Sequence, residues 1–381
     1  MGTEPQWLQE KRKEAESLLG ELPDETVRYV VIPASKPADS KNHDSGYAAT
    51  IVQHDSQTEI RLPECIAGRV VVKNIQDALQ DEKLAAYFEE PKSRQSAANI
   101  AFFNSGVFIF VPDNTVIEEP IYHMMVVGEQ ASVVSRNIIV AGKNSKVKII
   151  KEITGKGEGQ YSEVTVIKAM EQSAIELLSV QNLDRANACI KRHASCEAGS
   201  LFDMRTAFFG SENTYARNEI DLDGEGAETS TTDIYFGTGT QKFDSFSLIN
   251  HNARNTRSRS DVRGALKDLA KLAPHGNVKI EKQAHGSDAF LTEHILILNA
   301  GAEADPVPAL EIETRDVKAG HSASVSHMGE EQVFYLLARG IDEPEARKMI
   351  ALGFLEPAMK MAESLRMHVM SKIEQKWDGK R

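Results

Sequence analysis

The chain has 381 residues, enough for two or three domains and a large core. Apolar residues make up 41% and charged residues 26%, which excludes collagen-like, disordered and membrane-embedded classes. Acidic residues number 56 against 44 basic ones, a net charge of -12 that repels phosphate backbones, so no nucleic-acid partner is expected.

The three cysteines, Cys65, Cys189 and Cys196, fit neither a zinc knuckle nor a CxxC pair. Such sparse use suits a reducing, cytoplasmic compartment. The N-terminus lacks a signal-like layout, and the densest apolar run, residues 107–111, is far short of the roughly 20 residues that span a bilayer. No membrane association is expected.

Helical periodicity predicts a charged amphipathic helix over residues 6–22 and a second over 74–89, with a short strand over 27–32 between them. Residues 33–46, rich in proline, serine, lysine and aspartate, read as a loop. From about 98 to 325 the text changes to short β-rich runs cut by glycine and small polar residues, with 262–272 as an ambiguous helical stretch.

A repeat runs through this region. The segments Gly128-Glu-Gln-Ala131, Gly142-Lys-Asn-Ser145, Met170-Glu-Gln-Ser173, Glu197-Ala-Gly-Ser200 and Gly224-Glu-Gly-Ala227 end in small residues spaced by 14, 28, 27 and 27 positions. A constant advance of about 27 with one corner per unit is what stacked coils of a β-solenoid require. Turns that recur by chance in any β protein are the alternative that spacing leaves open.

From about 328 the pattern turns helical. Asp342-Glu-Pro-Glu345 reads as a capping box, followed by apolar stripes at Ala346, Met349, Ile350, Gly353 and Phe354 and then at Ala358, Met361, Ala362, Leu365 and Val369. These divisions give a mixed helical unit over 1–95, a β unit over 96–326 and a helical unit over 327–381.

The chemistry-bearing motifs are few. Gly237-Thr-Gly-Thr lacks the third glycine of a dinucleotide loop, and no phosphate-binding lysine motif, GxSxG elbow or HExxH helix occurs. His321 and His327 bracket the junction between β and helical regions, where an imidazole could ligate iron or zinc. Arg254, Arg257, Arg259, Arg263, Lys267 and Lys271 form a basic stretch, read first as a solvated rim.

At the C-terminal end the residues become recognisable. Pro308-Ala-Leu-Glu-Ile312, Asp316-Val-Lys-Ala-Gly-His-Ser-Ala-Ser-Val325, Gly329-Glu-Glu-Gln-Val-Phe-Tyr-Leu-Leu-Ala-Arg-Gly-Ile341, Glu345-Ala-Arg-Lys-Met-Ile350 and Gly353-Phe354 stand in one run. This run resembles the SufB/SufD family of iron–sulfur cluster assembly scaffolds, with its P-x-LEI strand, DV-x-CSHGAT turn, EEQ-x-FYL-x-SRGI helix and GF helix. Phe108-Ile-Phe-Val-Pro112 with Glu119-Pro-Ile121 is similar to the family's first core strand.

The resemblance implies a mainly β fold, a right-handed parallel β-helix flanked by N- and C-terminal helical domains. It implies a non-catalytic subunit partnered by a SufC-like ABC ATPase and by a SufB-like paralogue or a second copy joined through β-helix edges. A cysteine desulfurase system would supply sulfur indirectly. No cofactor is expected on the isolated chain, only a transient iron–sulfur cluster in the complex. The ATPase-docking set would be Phe334, Tyr335, Arg339, Gly340, Ile341, Met349, Gly353 and Phe354.

Within the family the chain is closer to SufD. Thr292, Ile220 and Ala319 stand where SufB-type or CSHG cysteines are expected, and His321 falls on the SufD histidine thought to contribute to the nascent cluster. A self-sufficient homodimer that uses Cys189 or Cys196 as sulfur acceptor is the alternative. A polysaccharide-active β-helix enzyme using Asp261, Arg263 and Lys267 is a remote one, since it leaves the C-terminal signature without a role.

Overall fold

A computed structural model describes residues 4–25, 27–29, 49–64, 66–88, 90–359 and 363–379. The loop expected over 33–46, Cys65, Met361, Ala362 and most of the strand expected over 27–32 lie outside these; residues 27–29 form no strand.

The N-terminal unit contains α1 (Gln6–Leu18), β1 (Ala49–His54), β2 (Gln57–Arg61), β3 (Val71–Asn74), α2 (Ile75–Ala78) and α3 (Arg94–Phe102). The single helix expected over 74–89 is instead two pieces. Asn74 caps α2 through the Gln76 N–H, and Asp81 then captures the Lys83 N–H to start a 3-10 turn over Glu82–Tyr87. Helix α3, capped by Ser93, crosses the expected boundary at 95.

The solenoid strands follow: β4 (Val107–Val111), β5 (Ile121–Val127), β6 (Ser132–Ala141), β7 (Lys146–Gly155), β8 (Gln160–Ala169), β9 (Ala174–Leu183), β10 (Asn187–Cys196) and β11 (Leu201–Phe208). They continue as β12 (Asn213–Leu222), β13 (Glu228–Gly237), β14 (Lys242–His251), β15 (Arg257–Leu266), β16 (Lys271–Ile280), β17 (Ser287–Ile297), β18 (Glu303–Ala304), β19 (Ala309–Ile312) and β20 (Val317–His327). Residues 262–272, the ambiguous helix, are the end of β15, a turn and the start of β16. Burial alternates with a period of two from Arg257 to Gly264, which is a strand pattern and not a helical one.

The chain winds back and forth between two sheets. One runs β2-β1-β5-β7-β9-β11-β13-β15-β17-β20, and the other runs β18-β16-β14-β12-β10-β8-β6-β4-β3 with β19 also on β16. All core pairings are parallel, and the fold is a mainly β parallel solenoid with flanking helices. The advance per coil is not constant. It is 26 residues between β10 and β12, 27 between β9 and β11, 29 between β14 and β16, and 32 between β16 and β19.

The repeated segments are corners. Those ending at Ser145, Ser173, Ser200 and Ala227 share one edge, whereas Ala131 turns the opposite edge, which explains its spacing of 14. Ala253-Arg-Asn-Thr256 and Ala284-His-Gly-Ser287 continue the series. The third corner residue has positive φ in six successive coils: Asn144, Gln172, Gly199, Gly226, Asn255 and Gly286. Each of these N–H groups donates to a carbonyl of the next corner, as Gly199 does to Glu225 and Gly226 to Arg254, so the corners stack by backbone hydrogen bonds.

The apolar core lies between the sheets, with Ile109, Ile139, Ile149, Ile167, Leu177 and Ile220 among its fully buried members. Each sheet also has a covered outer face. Leu8, Ile75, Leu79 and Phe103 of the N-terminal unit pack on Val134, Ile138 and Val140 of β6. On the other sheet, α4 (Glu330–Leu337), α5 (Glu343–Leu355) and α6 (Glu363–Trp377) cover Leu178, Val180, Phe209 and Phe236.

Candidate functional site

The last coil is open. Among the described residues strand β20 pairs with β17 on one side and ends its sheet, and most of its 11 residues are exposed. His321 lies in register with buried Leu291, on the face that turns inward in earlier coils, yet it is exposed. Phe290, Val307, Ile312 and Val325 add exposed apolar surface at this end. An unpaired edge strand with an apolar rim offers its backbone to a further strand.

Among the described residues, no three His, Cys, Asp or Glu side chains group as a metal site. Ala319 sits beside Ala289 in register, Thr292 donates to Asp261 Oδ1 at 2.6 Å, and Ile220 is buried in the apolar core.

The eight residues expected to dock an ATPase divide into two groups. Phe334 is 70% exposed, Tyr335 56% and Met349 45%, and Arg339 stacks 3.5 Å above the Tyr335 ring. Gly340, at φ 84, ends α4 in a left-handed turn, and Gly353 has open space around it. Ile341 and Phe354 instead pack into the core that joins α4 and α5 to the solenoid. Arg263 donates to the Phe354 carbonyl at 3.1 Å and so fixes α5 to β15.

Asp342 caps α5 by accepting the Glu345 N–H at 2.9 Å. Only this half of the expected capping box forms, because the Glu345 carboxylate pairs with Lys348. Arg347 bridges Glu343 and Glu330, tying α5 to α4. Four of the six residues of the basic stretch are paired by neighbours: Arg257 with Glu228, Arg259 with Asp288, Arg263 with Asp261 and Lys271 with Glu303.

Cys189 and Cys196 stand seven residues apart on one strand, and that odd separation puts them on opposite faces. Cys196 points into the solenoid core, where burial pushes its thiol up to about 12. Cys189 lies on the outer face against Tyr215 and Val27, and burial pushes it up to about 11. Both are poor nucleophiles in this conformation.

Sequence reasoning missed a polar seam inside the solenoid. On one sheet His123, Lys151, Ser179, Thr206 and Asp233 stack in register from coil to coil, all buried. Asn137, Thr165, Arg192 and Asn218 stack likewise on the other. The two columns meet: Arg192 donates to Ser179 and Thr206, both at 3.2 Å, and Asn218 donates to Asp233. Burial raises Asp233 to about 6 despite Arg192, and raises Glu293, which accepts the Gly276 N–H, to about 8. Parallel register was the signal that could have found the seam, since these residues recur one coil apart.

Residues 124–354 match the family described as SUF system FeS cluster assembly, SufBD core domain. The chain belongs to the SufBD family. It is 28% identical over 343 residues to an iron-sulfur cluster assembly SufBD family protein of Staphylococcus saprophyticus, covering 86% of this chain and 72% of that one. A Staphylococcus aureus protein of the same description is 27% identical over 380 residues, covering 95% and 80%. The SufBD match spans β5 to α5, and so takes in the open edge, His321 and the exposed aromatic face.

Proposed function

We propose that the chain is a SufD-like, non-catalytic scaffold subunit of the SUF iron–sulfur cluster assembly system. Its α4–α5 face receives a SufC-type ATPase, and its β20 edge pairs with a SufB-type β-helix or a second copy. The observation that carries the reading is the exposed Phe334, Tyr335 and Met349 surface, held rigidly against the solenoid by Ile341 and Phe354. Contiguous exposed aromatics on a rigid support are the composition of a protein-binding hot spot.

The nascent cluster is cargo of the complex. His321, exposed at the open edge, offers one imidazole ligand toward a junction whose remaining ligands come from the partner. The burial of Cys189 and Cys196 supports assigning the sulfur-accepting thiols to that partner. Co-expression with a SufC-type ATPase and a SufB-type chain tests this. The three co-purify with the full chain, and deletion from Gly329 onward removes the ATPase; retention of the ATPase after that deletion overturns the docking assignment.

A further inference from the structure

Residues 23–25 and 27–29 cross the outer face of the even-numbered sheet without helix or strand of their own. The Glu25 N–H donates to Gln95 in α3 at 3.1 Å, and the Tyr29 N–H donates to Asp244 at 2.7 Å. Between them Val27 packs on Cys189 and Tyr215. These two stretches form a strap whose Val27 lies against Cys189.

The strap is keyed by one carboxylate. Glu25 enters a socket in which Lys191 pairs with Oε1, while the Tyr215 hydroxyl donates to Oε2 at 3.0 Å and Arg217 at 3.3 Å. Lys191 is held in place by Ser93 Oγ at 2.9 Å and Ser96 Oγ at 3.1 Å. Lys191 and Arg217 are register neighbours on β10 and β12, as are Cys189 and Tyr215 two residues earlier, so one sheet face presents all four. A cleft of about 520 Å³ continues beside the socket, lined by Lys92, His193, Phe246 and His275.

We propose that the Lys191–Tyr215–Arg217 socket is a carboxylate-binding site, that Glu25 fills it as an internal ligand, and that a glutamate side chain from a partner segment displaces the strap and uncovers Cys189. Two cations and a phenol converging on one carboxylate constitute charge-assisted recognition, and nothing in that chemistry distinguishes Glu25 from another glutamate. The adjoining cleft gives a competing segment room. Burial raises the Cys189 thiol, Lys191 opposes this, and Glu25 adds to it. Departure of the strap removes Glu25 and the cover that Val27 provides and leaves Lys191, so uncovering also shifts the thiol toward its reactive form.

The test is peptide-resolved iodoacetamide labelling of the full chain at pH 8, each event forming one S–C bond and releasing iodide and the thiol proton. Glu25→Gln and Glu25→Ala speed labelling of Cys189 by about tenfold or more, while Cys196, inside the solenoid, keeps its wild-type rate. On the wild-type chain, an acetylated triglutamate peptide accelerates Cys189 beyond sodium chloride of equal ionic strength, and Arg217→Met abolishes that acceleration. An equal effect of glutarate means that free dicarboxylates also fill the socket. The proposal is overturned by a wild-type rate in Glu25→Ala, by Cys189 and Cys196 accelerating together, or by neither carboxylate probe exceeding chloride.

Discussion

Lys151 and Glu163 meet inside the solenoid, with Nζ and Oε2 2.6 Å apart and side chains 5% and 0% exposed. Burial alone would raise the Glu163 carboxyl, but Lys151 and Arg192 more than offset it and hold it at about 2. Tyr161 and Thr165 also donate to this carboxylate. A charged pair so enclosed joins β7 to β8 across the core.

Removing one member leaves the other charged and unpaired. Glu163→Gln is expected to destabilise the chain by about 3–5 kcal/mol in urea unfolding, and Lys151→Met with Glu163→Leu to recover most of the loss. Because the folded carboxyl lies below its unfolded value near 4.5, its contribution is present above that pH and is lost as pH falls toward 2. A single variant within about 0.5 kcal/mol of wild type would show that the pair contributes nothing.

Glu293 behaves with the opposite sign. It is fully buried, no cation pairs with it among the described residues, and burial raises it to about 8. The unfolded chain releases this proton near pH 4.5 and the folded chain only near 8, so stability declines across that window. Glu293→Gln is predicted to flatten the decline and to exceed wild type by more than about 1 kcal/mol at pH 8. Parallel stability curves for the two proteins between pH 5 and 8 would refute it.

The corner ladder predicts a specific tolerance. Gly226 has φ 70 and open space around its missing Cβ, and its counterpart one coil later is Asn255 at φ 58. Gly226→Asn should be nearly neutral, whereas Gly226→Val should cost about 1–2 kcal/mol. Thermal melts of both variants decide it, and equal losses would mean that space, not backbone conformation, sets the choice.

Much of this architecture was legible in the text. The period-two burial of β4, β7 and β8 and the small residue closing each corner follow from strand geometry, and the helical end follows from its stripes. The drift from 26 to 32 residues per coil was not, because the corner residues read as repeats end at Ala227, before the coils lengthen. Strands β1 to β3 escaped notice because each is short and carries few apolar residues. The buried seam escaped because Lys151, Glu163 and Arg192 carry charges that composition assigns to the surface; only the register of stacked coils brings them together. At the C-terminal end the motif gave the expected docking residues as one set, but packing divides it into exposed Phe334, Tyr335 and Met349 and partly buried anchors Ile341 and Phe354.

That division separates binding from folding. Ile341→Ala or Phe354→Ala should lower the melting temperature by several degrees, since each removes partly buried contacts between the helices and the solenoid. Phe334→Ala should leave it within about 1 °C. A reversed order of the two effects would place the anchors wrongly.

The central claim is tested most directly by the affinity of the purified full chain for a SufC-type ATPase. Phe334→Ala combined with Tyr335→Ala is predicted to weaken the dissociation constant by about tenfold or more with an unchanged melting temperature. An affinity within twofold of wild type, on a normally folded double variant, would contradict the assignment of the α4–α5 face as the docking surface.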